Sequence, residues 1–509
     1  MGKLIKILTS RLLWTLLLFL SEFVMLALLV YWAAYTKGFF LVFYLISMLV
    51  ILIVLSRKEN PSYKMVWIAI VSFVPVFGGV MYLLFGNKQI GRLSARKLLK
   101  YRNAENREVF LDDRISHSAS IEATGEDQIK RLENYIYNTT LFPACQNTES
   151  MYFETGTEFR NDLLIKLENA KKFIFIEYFI IGEGRFLSDV RKILSKKARE
   201  GLDVRLIYDD MGSINSVSYR YDRDLEKDGI KTIKFNPLRL HVNPRLNFRD
   251  HRKIVVIDGD IGYTGGLNIA DEYTNDEIRF AYWKDNAIRL SGSAVFSLTR
   301  LFLSMWDALK GIKEEVMLFR PSHLPPSDGV VQVFGSNPFA DIPVGENAYI
   351  EMVNSARRYL WITTPYLIPD DTMTNALKNA SLGGVDVRII TPSVPDKKQV
   401  HEVSRSNYKN LIEAGVKIYE YTPGFIHTKM FLSDDNRAIV GTTNMDYRSF
   451  YLHFELSVLF YSSSMCKSVK EDFLAIMDVS KRMKRDSHEK INIIRRLFRY
   501  FYRMFSPAL

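Results

Sequence analysis

The sequence predicts an α/β protein built from two homologous halves with pseudo-two-fold symmetry, preceded by an α-helical transmembrane region. Three observations predict it: long apolar runs between residues 12 and 85, an internal duplication in the remainder, and an alternation of helical stretches with apolar strands inside each copy. The 509 residues allow about three domains at roughly 150 each. A composition of 48% hydrophobic and 25% charged residues excludes disorder as a description of the whole chain.

Residues 1–88 form the expected membrane region. A bilayer core takes about 20 helical residues, and Leu12 to Tyr35, Phe39 to Leu55 and Met65 to Phe85 each approach that length, giving two or three helices. The first run is too long for a signal peptide and is followed by more apolar sequence. Glu22 within it predicts a tilted or protein-facing helix. Pro75 and Gly78-Gly79 interrupt the third run, so it is expected to be re-entrant or interfacial. All large basic clusters, and the catalytic part, then lie on the cytoplasmic side.

A basic and polar linker is expected over 89–126, the first half over 127–319, a Pro-rich connector over 320–335 and the second half over 336–480. Residues 481–509 read as a basic amphipathic tail. Ile491, Ile494, Phe498, Phe501 and Phe505 follow helical spacing, with Arg495, Arg496, Arg499 and Arg503 toward the other side. The arginines point to an anionic membrane surface, with docking on the catalytic core as the alternative. Residues 1–87, 88–102 and 481–509 carry +5, +6 and +7, so 103–480 carry −7 of the total +11. A nucleic-acid enzyme would place its positive charge on the catalytic module, so no nucleic-acid partner is expected. The two cysteines, Cys145 and Cys466, form no CxxC pair, which argues against a disulfide framework or a cysteine zinc site.

The duplication is direct. Ala170-Lys-Lys-Phe-Ile-Phe-Ile returns as Ala356-Arg-Arg-Tyr-Leu-Trp-Ile, and each run continues to a tyrosine, Tyr178 or Tyr366. Gly201-Leu-Asp-Val-Arg-Leu-Ile returns as Gly384-Val-Asp-Val-Arg-Ile-Ile, and Leu225-Glu-Lys-Asp-Gly-Ile-Lys as Leu411-Ile-Glu-Ala-Gly-Val-Lys.

Two of the eight histidines recur in one pattern, His251-x-Lys253-x4-Asp258 and His427-x-Lys429-x4-Asp434. One such match is a modest signal; two in register with a duplication are strong. On an extended strand His251 and Lys253 share a face while Asp258 points the other way. A lysine beside a histidine suits a phosphate, and imidazole can attack phosphorus or move a proton. Parity makes Asp258 and Asp434 awkward partners for their own histidines. Asp285 and Glu455, downstream in each copy, are better candidates to accept a ring proton and fix the tautomer. Asn268 and Asn444, each fifteen residues past a motif lysine and each following small residues, are candidate donors to a phosphoryl oxygen. Six histidines stand outside the pattern; surface or packing roles are expected for His117, His323, His401, His453 and His488 among them.

With these residues the chain resembles the phospholipase D superfamily, marked by a duplicated HxKxxxxD motif, and more closely the bacterial cardiolipin synthases. The resemblance is carried by Phe248 to Gly259, Gly265 to Asn268 with Glu272-Tyr273, Tyr282-Trp283-Lys-Asp285, Asn60 to Trp67 with Pro75 to Gly79, and the C-terminal end from Leu497 to Leu509. It implies a plasma-membrane, multi-pass enzyme. One phosphatidylglycerol gives its phosphatidyl group to a histidine, glycerol leaves, and a second phosphatidylglycerol takes the group to form cardiolipin. Phosphatidylglycerol and anionic membrane lipids are thus the expected partners. The catalytic set is expected to be His251, Lys253, Asp258, His427, Lys429 and Asp434, with His251 as nucleophile and His427 as acid and base. Asn268 and Asn444 are expected to bind substrate, and no metal or other cofactor is expected. A membrane-bound hydrolase, another phosphatidyltransferase or a non-enzymatic scaffold are the competing readings.

Overall fold

The computed structural model describes residues 39–57, 59–74, 77–82, 127–238 and 247–484, with isolated positions near both termini. Most of the first apolar run, the basic segment 88–102, the linker to residue 126 and most of the tail lie outside the described residues.

The first half forms a seven-stranded sheet in the order Thr148–Phe153, Ala287–Gly292, Ile261–Gly265, Lys253–Ile257, Phe173–Tyr178, Asp203–Asp209, Lys231–Phe235. The second half repeats it as Val330–Ser336, His453–Tyr461, Arg437–Gly441, Met430–Ser433, Tyr359–Thr363, Asp386–Pro392, Lys417–Tyr421. Strand directions match as well: the last three strands of each sheet run parallel, and the remaining neighbours pair antiparallel. The second sheet is extended at its edges by Ala144–Cys145 and Ser480–Arg482.

Alternation along the strands divides the core into layers. Phe175, Val256 and Leu290 of the first sheet, and Val333, Leu432 and Val458 of the second, meet in one cluster with helices Val295–Lys310 and Ser464–Asp478. Their neighbours Ile174, Ile176 and Val255 face the opposite layer, under helices Gly156–Glu168 and Arg185–Arg199. Leu360, Ile362 and Ile439 do the same under Val344–Ser355 and Asp371–Leu382. The two halves therefore share an apolar core, which makes each a poor candidate for folding alone.

The structure corrects three boundaries. Val330–Ser336, mostly assigned above to the connector, is an internal strand of the second sheet. Helix Asp127–Thr140, assigned to the first half, packs on the second through Ile129, Leu132 and Ile136. Ser480–Arg482, where the tail was expected to start, is an edge strand.

In the N-terminal region, helix Phe39–Ser56 carries no charge and spans about 27 Å at roughly 1.5 Å per residue. The third apolar run is two helices, Pro61–Phe73 and Phe77–Met81. Val50, Val54, Trp67, Val71 and Tyr82 pack these pieces together. Gly78 lies so close to the backbone of Ile70 and Val71 that a β-carbon there would sit 2.6 Å from the Ile70 carbonyl oxygen. Asn60 ties the bundle to the second half: its side chain caps Ser62 N–H and donates to Asp370 and to the Tyr451 hydroxyl. Among the described residues no helix is long and apolar enough to cross a membrane; Phe39–Ser56 comes nearest.

Candidate active site

Two short parallel pairings stitch the halves together and build the site. Arg249–Asp250, just before the first motif, pairs with His453–Phe454 of the second half, and His251 N–H donates to the Phe454 carbonyl at 3.0 Å. Gly424–Ile426, just before the second motif, pairs with Tyr282–Lys284 of the first, and His427 N–H donates to the Lys284 carbonyl at 2.7 Å. Each register sets a motif histidine beside the residue that follows its partner segment. The histidine–carboxylate pairs are therefore crossed between halves: His251 Nδ1 lies 2.9 and 3.0 Å from the two Glu455 oxygens, and His427 Nδ1 lies 2.6 Å from Asp285 Oδ2. With Nδ1 held in this way, Nε2 of each ring is the nitrogen left for chemistry.

The carboxylates are themselves fixed. Asp285 Oδ1 accepts Asn286 N–H at 2.9 Å, and a β-carbon on Gly266 would fall 2.0 Å from that oxygen, so only glycine fits there. At the equivalent place in the second half Thr442 donates its hydroxyl to Glu455. The ring surroundings differ too. Tyr273, Trp283 and Phe425 surround His427, while Phe179 packs edge-on to His251 at 4.9 Å.

Lys253 and Lys429 are almost wholly buried, and each ammonium donates to the carbonyl of its own motif histidine. Burial lowers Lys253 to about 7 and Lys429 to about 8. Burial also lowers His427 to about 4, helped by Lys429 and Lys253 despite Asp285. His251 is held well below its ordinary value by burial, then by Lys253, Lys429 and His427. Charges from both motifs thus act on each ring, which places the two motifs around one centre. The centre sets two imidazoles with lowered proton affinity beside two lysines, a setting that suits an anionic phosphodiester.

Asp258 and Asp434, grouped above with the catalytic residues, sit elsewhere. Seven residues of extended chain, about 3.3 Å each, separate each from its histidine. Asp258 accepts the backbone N–H groups of Lys171, Lys172 and Phe173, and Asp434 those of Arg357, Arg358 and Tyr359. Their backbones are left-handed, φ 57° and 56°, at the hairpin that follows each motif strand. Aspartate tolerates that conformation and ties the hairpin to the neighbouring strand's entry.

The asparagines also differ from expectation. Asn268 is spent on protein partners, accepting from Ile180 N–H and donating to the Tyr273 hydroxyl. Asn444 is buried with its Oδ1 unpartnered, and so remains available to a ligand. His453, expected to be a surface or packing residue, is buried in the centre: its ring lies 5.6 Å from that of His251 and its Nδ1 3.7 Å from Glu455 Oε1. Its spacing of two from Glu455 on one strand was the visible clue, because i and i+2 share a face. Tyr178 and Tyr366 are not equivalents. Tyr178 is opposite Lys253, and the register of Thr363 with Met430 makes Thr364 its counterpart; Tyr366 instead donates to Asp396. His401 is held below its ordinary value by burial and then by Arg405, with Glu420 and Glu402 opposing.

Two α/β halves that each contribute a histidine and lysine to one centre, and a carboxylate to the other half's histidine, define a phospholipase D-like phosphoryl-transfer protein. The family described as "Cardiolipin synthase, PLD-like domain" matches residues 163–306 and 349–477, and "Phospholipase_D-nuclease N-terminal" matches 43–87. The chain belongs to the cardiolipin synthase family. It is 33% identical over 490 residues to a cardiolipin synthase of Halalkalibacterium halodurans, covering 94% of this chain and 95% of that one. It is 35% identical over 472 residues to cardiolipin synthase 2 of Bacillus cereus, covering 90% and 89%. A crystal structure of phosphatidylserine synthase from Haemophilus influenzae shares the fold, with a TM-score of 0.56 at 17% identity over 75% of this chain and 98% of that chain.

Proposed function

We propose that the enzyme transfers a phosphatidyl group from one phosphatidylglycerol to another, forming cardiolipin and glycerol, with the crossed His251–Glu455 and His427–Asp285 pairs as the observation that carries the reading. His251 Nε2 attacks phosphorus, the bond to the glycerol oxygen breaks, and that oxygen takes a proton from His427. Neutral His427 then removes the hydroxyl proton of a second phosphatidylglycerol, whose oxygen attacks the phosphohistidine and frees His251. His427 begins this cycle protonated because the negative charge of the bound phosphodiester opposes the burial, and then the Lys429 and Lys253 charges, that otherwise hold the ring neutral. Those lysines, with the Asn444 side-chain N–H, stabilise the charge on the phosphoryl oxygens, while its unpaired Oδ1 is left to accept from a substrate hydroxyl. Asp258, Asp434 and Asn268 hold the scaffold.

The reading extends to the membrane. The N-terminal apolar runs anchor the enzyme there, the broken segment from Pro61 to Met81 lies at its surface, and the catalytic halves face the cytoplasm. In support, Val42, Leu45, Met48, Leu49, Leu52 and Leu55 leave one face of the Phe39–Ser56 helix apolar and exposed. Incubating the purified protein with labelled phosphatidylglycerol and EDTA tests the chemistry. Cardiolipin with free glycerol is expected. Phosphatidic acid as the main product supports the hydrolase instead, and activity restored only by a divalent ion overturns the metal-free mechanism.

A further inference from the structure

We infer that His251, His453 and Glu455 form an inhibitory binding site for a divalent transition metal of the zinc type. All three residues are buried, and one ligand atom from each lies within 4.8 Å of the others. Two imidazoles and one carboxylate are a zinc ligand set, and three protein ligands leave a fourth position for water. Tetrahedral zinc with bonds of about 2.0–2.1 Å needs ligand atoms about 3.4 Å apart. The measured separations straddle that value: 2.9 Å from His251 Nδ1 to Glu455 Oε1 and 3.7 Å from His453 Nδ1 to the same oxygen.

His453 is the residue that points to a ligand. Both its ring nitrogens are buried and neither has a hydrogen-bond partner. A buried imidazole in that condition is unfavourable without a partner, and the phosphatidyl-transfer cycle gives it no task. Against the site stand Lys253 and Lys429, whose charges oppose a cation. The acidic ligand, Glu455, opposes those charges at the same centre. A metal on His251 Nδ1 takes the Glu455 oxygen that orients the ring and leaves the ring proton on Nε2, the attacking atom, so the metal-bound enzyme cannot attack phosphorus.

The inference rests on His251 acting in turnover only for the word inhibitory; the site itself is tested by binding. In the full-length His427→Asn protein, which does not turn over, Co2+ is expected to bind with one ion per chain and give the visible absorption bands of a low-coordinate cobalt centre, displaced by Zn2+. Adding His453→Asn should remove the bands. In the otherwise native enzyme, buffered free Zn2+ should inhibit cardiolipin formation, reversibly with EDTA. The His453→Asn enzyme should need at least tenfold more zinc for half-inhibition of its own rate. Cobalt bands that survive His453→Asn overturn the site, and inhibition of the two enzymes at the same zinc concentration overturns its inhibitory role. If His453→Asn gives no turnover, the cobalt titration on the double variant decides alone, with an unchanged melting temperature showing that it is folded. Bands without inhibition would keep the site and reject its inhibitory role.

Discussion

Glu455 and His251 come from different halves of the chain, 204 residues apart, yet both Glu455 oxygens lie within 3.0 Å of His251 Nδ1. The pairing has a direct consequence for chemistry. Glu455→Gln keeps the shape but presents an amide that can donate to Nδ1, which forces the proton onto Nε2, the attacking atom. We expect turnover to fall about 10²- to 10⁴-fold, with substrate affinity changed much less. Asp285→Asn should do the same through His427. A loss below tenfold in steady-state assays of both variants would show that the carboxylates do not set the tautomers.

Because the rings belong to one centre, replacing either His251 or His427 by alanine should abolish steady-state turnover. Acid quenching during turnover of the native enzyme should trap a phosphatidyl adduct on His251 alone. Adduct on His427 would exchange the two roles, and near-normal turnover by either alanine variant would mean the halves work separately.

The motif aspartates should behave as structural residues. Asp258→Ala strips three backbone N–H groups of their acceptor. A loss of about 2–4 kcal/mol of stability is expected, read as a lower melting temperature, while the rate per folded molecule stays within about threefold. A hundredfold fall in the rate of well-folded protein would return Asp258 to the chemistry.

Much of this was legible in the sequence, for identifiable reasons. Internal repeats at matching offsets foretold two sheets with the same strand order, because a repeated pattern of strand parity repeats a fold. The site residues on the motif strands were legible for the same reason. The crossing of His251 to Glu455 and His427 to Asp285 was not, since it depends on pairings between two- and three-residue segments of opposite halves that carry no periodic signature. Tyr366 was matched to Tyr178 by resemblance at the end of an apolar run, whereas sheet register places it two residues further on. The strand Val330–Ser336 was hidden by the prolines that precede it.

The lowered lysines and histidines give a pH dependence whose sign can be stated. His427 and His453 titrate near 4 folded and near 6.5 unfolded. Between those values the unfolded chain binds more protons, so stability falls on acidification from pH 6.5 toward 4. Lys253 and Lys429, near 7 and 8 folded and near 10.4 unfolded, likewise make stability rise with pH above 7. A phosphate in the site favours their charged forms. The increase in melting temperature given by inorganic phosphate should therefore shrink by at least half between pH 6.5 and 9. An increase that stays constant would mean that the buried lysines do not hold the phosphate.

The last prediction concerns the tail, where the structure reverses the sequence-based preference for a membrane surface. Arg499 is buried and its Nε lies 2.7 Å from Glu402, while Tyr502 packs against the cluster of Ile368, Val403 and Tyr447. At these positions the tail grips the catalytic core. Glu402 keeps partial solvent exposure, so losing Arg499 costs less than the roughly 3–5 kcal/mol of a fully buried pair. Arg499→Ala and Glu402→Ala should each lower the melting temperature, and the double variant should lower it by less than the sum of the two. Deleting 489–509 should reduce activity on vesicles and on short-chain soluble phosphatidylglycerol to the same degree, with little change between low and high salt. A purely electrostatic tail would behave otherwise, since each basic residue near an anionic surface contributes about 1 kcal/mol that salt screens. Loss confined to vesicles and deepened by salt would restore the membrane-surface role.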